Sequence, residues 1–187
     1  DRSGGLTLNS GGAITQTGAL SVGTTTSINA TGNNITLDNA ANNFGTTVGF
    51  TGANVSLRDS TALSLATSSA TGTLDVTSNG AITQSGATTL SVTGAATFAA
   101  GTANNITLNN ANDFSSVGIT SGNNVVLNDT NALALNASTI SGTLNVTTAG
   151  PITDNGALSV AGASTFAAGS ANNITPVSYT HLRAHET

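Results

Sequence analysis

Residues 72–76 read Gly-Thr-Leu-Asp-Val and residues 142–146 read Gly-Thr-Leu-Asn-Val, which places the two stretches 70 positions apart. A second stretch, Asn-Asn-Ile-Thr, occurs at residues 33–36, 104–107 and 172–175. Long repeats of short apolar runs are typical of solenoids, because each unit buries its apolar face only against its neighbours. The repeat therefore predicts a stacked architecture.

The composition is typical of a folded chain with a nearly uncharged surface. Only 6% of the residues are charged, whereas 37% are hydrophobic and two are Pro, which argues against disorder. With a net charge of −5 and three basic residues, we expect no nucleic-acid partner. The chain has no Cys for disulfides or thiolate ligands. No run approaches the roughly 18 apolar residues of a membrane helix, so we expect no membrane insertion.

Triplets of apolar, polar and apolar residues recur every six to eleven positions, which is the period of strands with one buried face. Grouped in threes, they predict an all-β, parallel β-helix of about 7–8 rungs with three strands per rung. A rung of roughly 23 residues follows, since (166 − 6)/7 is about 23 for the strand set beginning at Leu6, Ile28, Val48, Leu74, Phe98, Val117, Leu144 and Phe166. The repeat would then span three rungs.

Two sets of polar residues recur at fixed places in these rungs, and we interpret both as structural. Threonines at the outward position of the second strand predict a ladder formed by Thr15, Thr36, Thr83, Thr107 and Thr153. Asparagines directly before that strand suit turns and stacked side chains, and these are Asn34, Asn54, Asn105, Asn124 and Asn173. Asp59 and Asp129 match across the repeat, which also favours a turn role.

The composition changes abruptly at Pro176. Residues 176–187 hold both His residues, the single Tyr and the single Glu, and they resemble a translated sequencing-library adapter. We interpret them as a non-native tail, and residues 1–3 as a candidate cloning or assembly scar. The spacing of His181, His185 and Glu186 suggests a metal site, but their place in the tail argues against it. We therefore predict no metal ligands, no cofactor and no catalytic residues.

The repeat resembles that of large filamentous haemagglutinin-like exoproteins over about residues 4–175. The resemblance is carried by Gly-Thr-Leu-Asn-Val-Thr-Thr-Ala-Gly-Pro-Ile-Thr at 142–153, Gly-Ala-Leu-Ser-Val at 156–160 and Ala-Asn-Asn-Ile-Thr at 171–175. It implies a right-handed β-helix, export from Gram-negative bacteria by two-partner secretion, and an adhesin or stalk at the cell surface. It also implies an outer-membrane transporter as partner, bound through an N-terminal domain missing from this segment. The full-length protein would contact a host-cell or glycan surface.

We therefore expect a structural stalk segment of a large secreted or cell-surface adhesin, without catalysis. A polysaccharide-acting β-helix enzyme remains an alternative, although such chemistry needs clustered carboxylates and the aspartates are spread over different rungs. Ice-binding-like recognition by the Thr ladder remains another. Paired Thr columns are expected for that role, and the residues two positions before the ladder threonines are mostly Ala and Asn.

Overall fold

The structure is a computed structural model that describes residues 4–175. This part of the chain forms twenty strands and no helix. In chain order the strands are β1 (Leu6–Asn9), β2 (Ile14–Thr15), β3 (Thr25–Asn29), β4 (Ile35–Leu37), β5 (Thr47–Gly52), β6 (Val55–Asp59), β7 (Leu63–Leu65), β8 (Ser68–Ala70), β9 (Leu74–Ser78), β10 (Ile82–Gln84), β11 (Leu90–Ala99), β12 (Ile106–Ser121), β13 (Val125–Asp129), β14 (Leu133–Leu135), β15 (Ser138–Ile140), β16 (Leu144–Thr148), β17 (Ile152–Asp154), β18 (Leu158–Val160), β19 (Ser164–Ala168) and β20 (Ile174–Thr175). The segments interpreted as scar and tail, residues 1–3 and 176–187, lie outside the described residues.

Parallel strands stack in two columns that run the length of residues 4–175. Face A contains β2, β4, β6, β9, the ends of β11 and β12, β14, β17 and β20. Face B contains β1, β3, β5, β7, β10, the start of β12, β13, β16 and β19. Each turn passes from face A to face B at edge 1 and returns at edge 2. The predicted all-β parallel solenoid is confirmed.

A turn of this solenoid is shorter than the sequence suggested. Following the strand register on face A, eight turns separate Ile14 from Ile174, so a turn averages 160/8, or 20, residues. The expected length of 23 placed Leu74 above Val48, whereas Val48 pairs with Leu65. The apolar triplets of the two faces look alike in sequence, so grouping them in threes merged strands from different faces.

The 70-residue repeat covers a half-integral number of turns, since 70/20 is 3.5. Equivalent residues therefore lie on opposite faces. Ile35 pairs with Val55 on face A, and their counterparts Ile106 and Val125 pair on face B. Successive repeats are thus related by a half-turn screw along the solenoid, and not by the three whole rungs that we expected.

A third side made of short strands closes most turns, and it changes edge along the chain. It starts on edge 1, where Ser21 and Asn43 form a bridge. It continues on edge 2, where β8, the start of β11 and the middle of β12 stack. It returns to edge 1 with β15 and β18. Three strands per turn were therefore a sound expectation, although the third strand does not keep one position.

The core is a stack of aliphatic and aromatic side chains between the two faces. Alternate residues of each strand point inward, because successive side chains of a strand project to opposite sides. Leu65, Ile82 and Ile106 have no exposed surface. The rings of Phe98 and Phe114 meet edge to face, with their centroids 6.1 Å apart. Each fully buried aliphatic side chain contributes roughly 1.5–3 kcal/mol, so stability is distributed along the solenoid.

Two aspartates mark the places where the third side ends on an edge. Where the first stretch of the third side ends on edge 1, the Phe44 N–H donates to Asp59 Oδ2 at 2.8 Å. On edge 2, the Phe114 N–H donates to Asp129 Oδ2 at 2.7 Å. The other carboxylate oxygen of Asp129 accepts the Asn131 N–H at 2.9 Å. Each carboxylate therefore replaces the strand that would otherwise have continued the ladder.

A serine marks the start of the third side on the opposite edge. Ser68 Oγ accepts the Phe50 N–H at 3.1 Å, and Ser138 Oγ accepts the Ile119 N–H at 3.0 Å. Residues 59–68 and 129–138 share the pattern Asp-x-x-Ala-Leu-x-Leu-x-x-Ser, which we call the switch motif. Its Asp ends the third side on one edge, and its Ser begins the third side on the other.

Candidate functional site

The five ladder threonines lie in separate pairs. Thr15 pairs with Thr36 on face A, and Thr83 pairs with Thr107 on face B. Thr153 is back on face A, next to Thr175. Because the repeat rotates by half a turn, the structure contains no single outward ladder through these threonines. The ice-binding alternative rested on the expectation of one such ladder, and that expectation is corrected by the strand pairing.

The turn asparagines are divided between the edges for the same reason. At edge 2, Asn34 Oδ1 accepts hydrogen bonds from the Asn54 N–H at 3.2 Å and from Asn54 Nδ2 at 3.1 Å. At edge 1, Asn105 Oδ1 accepts the Asn124 N–H at 3.1 Å. Asn173 precedes β20 on the side of edge 2. The pair Asn34 and Asn54 at edge 2 and the pair Asn105 and Asn124 at edge 1 thus join adjacent turns.

Buried amide side chains that the sequence analysis did not identify hold the third side in place. Asn42 is fully buried, and its Oδ1 accepts the Leu20 N–H at 2.9 Å and Gln16 Nε2 at 2.8 Å. Asn112, also fully buried, accepts Gln84 Nε2 at 2.8 Å. The sequence signal was present, because both Asn and Gln recur across the repeat. In an Asn-rich chain that recurrence did not stand out.

The aspartates differ in their surroundings. Burial raises the pKa of Asp129, the N–H groups of Phe114 and Asn131 oppose that rise, and the nearby Asp113 adds to it. Partial burial also raises the pKa of Asp75. Asp113 Oδ1 accepts Asn131 Nδ2 at 2.7 Å. The switch aspartates thus use their oxygens to bind backbone N–H groups.

An open groove of about 620 Å³ crosses face B at the first switch. We call it the switch groove, and we define it by six of the residues that line it: Ser27, Asn29, Gly49, Thr51, Thr67 and Thr88. Its lining contains no charged side chain. A volume of this size falls within the range of small-molecule sites in proteins. Most of the residues that line it carry a hydroxyl or amide group.

The groove follows from the change of edge. After β7 the chain leaves face B, and Ala66 and Thr67 pass over the outward side of Gly49. A Cβ on Gly49 would lie 3.3 Å from the Thr67 carbonyl oxygen and 3.4 Å from Ala66 Cβ. Gly49 therefore forms a bare floor, and Ala66 and Thr67 form the end wall.

A counterpart of the switch groove lies about three and a half turns further on, on face A. Gly118 lies beneath Asn136 and Ala137, as Gly49 lies beneath Ala66 and Thr67. The neighbouring concave surface of about 390 Å³ is lined by residues that include Ala99, which replaces Asn29 in the equivalent register.

Unlike the switch groove, the counterpart is covered by a side chain. Asn136 Nδ2 donates to Ser116 Oγ at 3.0 Å, across the position that Ala66 leaves open on face B. Ala137 stands where the switch groove has Thr67. The two surfaces thus share a Gly floor beneath the crossing chain, and they differ in their side chains and in the register shift between Phe98 and Ala99.

Within residues 4–175, no helix is long and apolar enough to cross a membrane. The same residues contain no group of three His, Cys, Asp or Glu side chains that could hold a metal ion.

A comparison with known protein families finds one that matches this chain. A family model described as "Repeats of unknown function (DUF5649)" matches residues 1–51, 52–121 and 122–175. The central match is 70 residues long, which agrees with the repeat seen in the sequence. No curated protein and no solved structure matches the chain.

Proposed function

The chain belongs to this family of repeats of unknown function, DUF5649, and we propose that it is a stalk segment of a large secreted or cell-surface bacterial adhesin. The observation that carries the proposal is the uninterrupted stack of about eight turns, closed by ladders on two faces. A stack of this kind extends a chain in one direction and presents a long surface of small polar side chains.

The dimensions fit a spacer. Adjacent turns of a parallel ladder are about 4.8 Å apart, so eight turns extend about 38 Å and each 70-residue unit adds about 17 Å. Backbone hydrogen bonds join adjacent turns of the solenoid, and some of them involve residues outside the regular strands. An example is the 2.9 Å bond from the Ile35 N–H to the Asn54 carbonyl oxygen. Length can therefore grow by whole units without a new core.

The proposal includes the filamentous haemagglutinin-like identity that the repeat suggested. On this view the parent protein leaves a Gram-negative cell by two-partner secretion through an outer-membrane transporter. A host-cell or glycan surface is its target.

A polysaccharide-acting enzyme is the weaker proposal. General acid-base catalysis on a sugar chain needs a carboxyl group that can exchange protons with the substrate. Asp59 and Asp129 are almost completely buried and accept backbone N–H groups, which occupies their oxygens. Reproducible release of sugar ends from a polysaccharide by the purified protein would favour the enzyme over the stalk.

The stalk proposal can be tested by inserting a second copy of residues 52–121 directly after the first. The elongated protein should be about 17 Å longer in small-angle X-ray scattering, with an unchanged cross-section. Bacteria that produce the elongated parent protein should still export it.

An inserted copy of residues 52–111 is the matched control, because it is not a whole repeat and brings unlike turns together. It should lower thermal stability and export. If the full-unit insertion leaves the length unchanged, or if it lowers export as much as the partial insertion does, the segment does not act as a spacer.

A further inference from the structure

We propose that the switch groove binds an uncharged glycan chain. This assigns a binding site to a segment that the stalk role alone treats as a spacer. The proposal rests on the contrast between the switch groove and its counterpart, and on the chemistry of the groove's lining.

The fold does not require the polar side chains of the groove. The counterpart on face A pairs Ala95 with Ser116 where face B pairs Thr25 with Thr47, and Ala99 replaces Asn29 beside a register shift that face B lacks. Ala137 likewise replaces Thr67 in the end wall. Thr25 and Thr67 therefore line the switch groove at positions where Ala is accepted in the counterpart, and the polar Asn29 lies where the counterpart has Ala99 beside the register shift.

The entrance of the switch groove is open, whereas that of the counterpart is covered. Asn136 fills the counterpart by its hydrogen bond to Ser116 Oγ. Thr47 is the face B equivalent of Ser116, because Thr47 pairs with Thr25 as Ser116 pairs with Ala95. Ala66, the equivalent of Asn136, has no polar side chain that could reach Thr47. The switch groove is open because Ala66 is small.

The lining selects the chemistry of the occupant. Hydroxyl and amide groups of Ser27, Asn29, Thr51 and Thr67 surround the groove, and the lining has no charged side chain and no outward-facing aromatic ring. Nucleic acids and other polyanions need basic contacts, and none is present in the groove. A ligand rich in uncharged hydroxyl groups matches these donors and acceptors.

A peptide is a poorer match. Extended peptides bind sheets by adding a strand to a free edge, where backbone N–H and C=O groups are unpaired. The floor of the groove is the outer face of β3 and β5, whose backbone groups already pair with each other and with β1, β7 and β8. Binding must therefore use side chains, which favours a glycan over a peptide.

The proposal can be tested on the full 187-residue chain labelled with ¹⁵N. Cellohexaose, maltohexaose and mannohexaose are the neutral probes, and hexagalacturonate is the charged control. We expect at least one neutral hexaose to cause saturable amide shifts at Ser27, Asn29, Gly49, Thr51 and Thr67. Hexagalacturonate should cause none at these positions.

Ala66→Asn is the decisive variant, because it imports the side chain that closes the counterpart at Asn136, where the fold accepts it. Binding of the neutral hexaose should weaken at least tenfold. Asn29→Ala, which copies Ala99, should weaken it in the same direction. Ala134→Asn makes the same chemical change on face A and should leave both the fold and the binding unchanged.

Absence of saturable shifts with all three neutral hexaoses would overturn the proposal. So would binding that persists unchanged in Ala66→Asn, or groove shifts that grow with protein concentration without sugar and therefore report a second copy of the chain. None of these outcomes affects the scattering length of the elongated protein. Failure of the glycan site is thus distinguishable from failure of the stalk proposal.

Discussion

At the scale of single residues, the tightest steric requirement in the backbone is at Gly45. Its φ is +82°, and a Cβ there would overlap the Thr24 carbonyl oxygen of the preceding turn. Residues other than Gly pay about 1–2 kcal/mol for a left-handed conformation, and a backbone clash adds to that cost. This position therefore combines an unusual dihedral with a close approach between turns.

We predict that Gly45→Ala lowers the free energy of unfolding by at least about 2 kcal/mol. Gly32→Ala is the matched control, because Gly32 has a similar φ of +76° and a Cβ added there would meet no neighbouring atom within 4 Å. It should cost only about 1 kcal/mol. Urea unfolding followed by circular dichroism measures both values, and equal losses would show that the contact with Thr24 is unimportant.

A second prediction concerns the pH dependence of Asp75, whose pKa is raised by partial burial. The folded state then disfavours the charged form, so the penalty is present at neutral pH and disappears as the pH falls through the raised pKa to the ordinary value. Asp75→Asn should therefore be slightly more stable at pH 7, by less than about 0.5 kcal/mol. The repeat already has Asn145 at the equivalent position on face B.

The measurement is urea unfolding of both proteins at several pH values from neutral to acidic. The advantage of Asp75→Asn should shrink as the pH falls. An advantage that grows on acidification would mean that the folded state favours the charged carboxylate.

At the scale of elements, the third side depends on the carboxylates that end it. The Phe114 and Asn131 N–H groups both donate to Asp129, which is 2% exposed. Asp129→Ala leaves two N–H groups without this acceptor, and an unsatisfied buried donor costs about 1–3 kcal/mol. We predict a loss of at least about 2 kcal/mol in the free energy of unfolding.

The exposed Asp38 supplies the control, since Asp38→Ala should change stability by less than about 0.5 kcal/mol. Asp129→Asn should be intermediate, because one oxygen remains as acceptor and a buried charge is removed. Hydrogen exchange gives a local readout: the Phe114 amide should exchange faster in Asp129→Ala. An unchanged exchange rate at Phe114 would argue against the capping role.

The sequence predicted which residues form strands better than it predicted which strands pair with each other. Alternation of apolar and polar residues identified strands such as β9 and β16, because one buried face imposes a period of two. It did not identify which strand lies above which, since Leu65 and Leu74 are in similar triplets and only one of them pairs with Val48. The decisive information is the length of each connection, and the third side varies that length from turn to turn.

The groove was missed for a related reason. Gly49 and Thr67 are 18 positions apart and are ordinary residues for this composition. Only the passage of residues 66–67 over Gly49 brings them together, and that passage exists because the third side changes edge. A comparison of the two switch motifs, with Ala66 against Asn136, could have shown that one copy differs.

At the scale of the whole molecule, the half-turn screw makes a prediction about orientation. The chain has no Cys, so single cysteines can be introduced and labelled without interference. Labels at Ser27 on face B and Thr97 on face A should project from opposite sides of the solenoid. Labels at Ser27 and Thr165 should project from the same side, since both lie on face B.

Electron microscopy of gold-labelled protein can distinguish the two arrangements. Placement of the Ser27 and Thr97 labels on one side would contradict the half-turn relation. It would instead support repeats of whole turns.

The half-turn relation between successive units also means that counting units is a matter of parity. An even number of added units returns the chain to its original facing, whereas an odd number directs whatever follows toward the opposite side. Two proteins that differ by one unit would therefore differ little in reach and greatly in aim. Adding or removing a single 70-residue unit is enough to reverse the direction in which the next domain points.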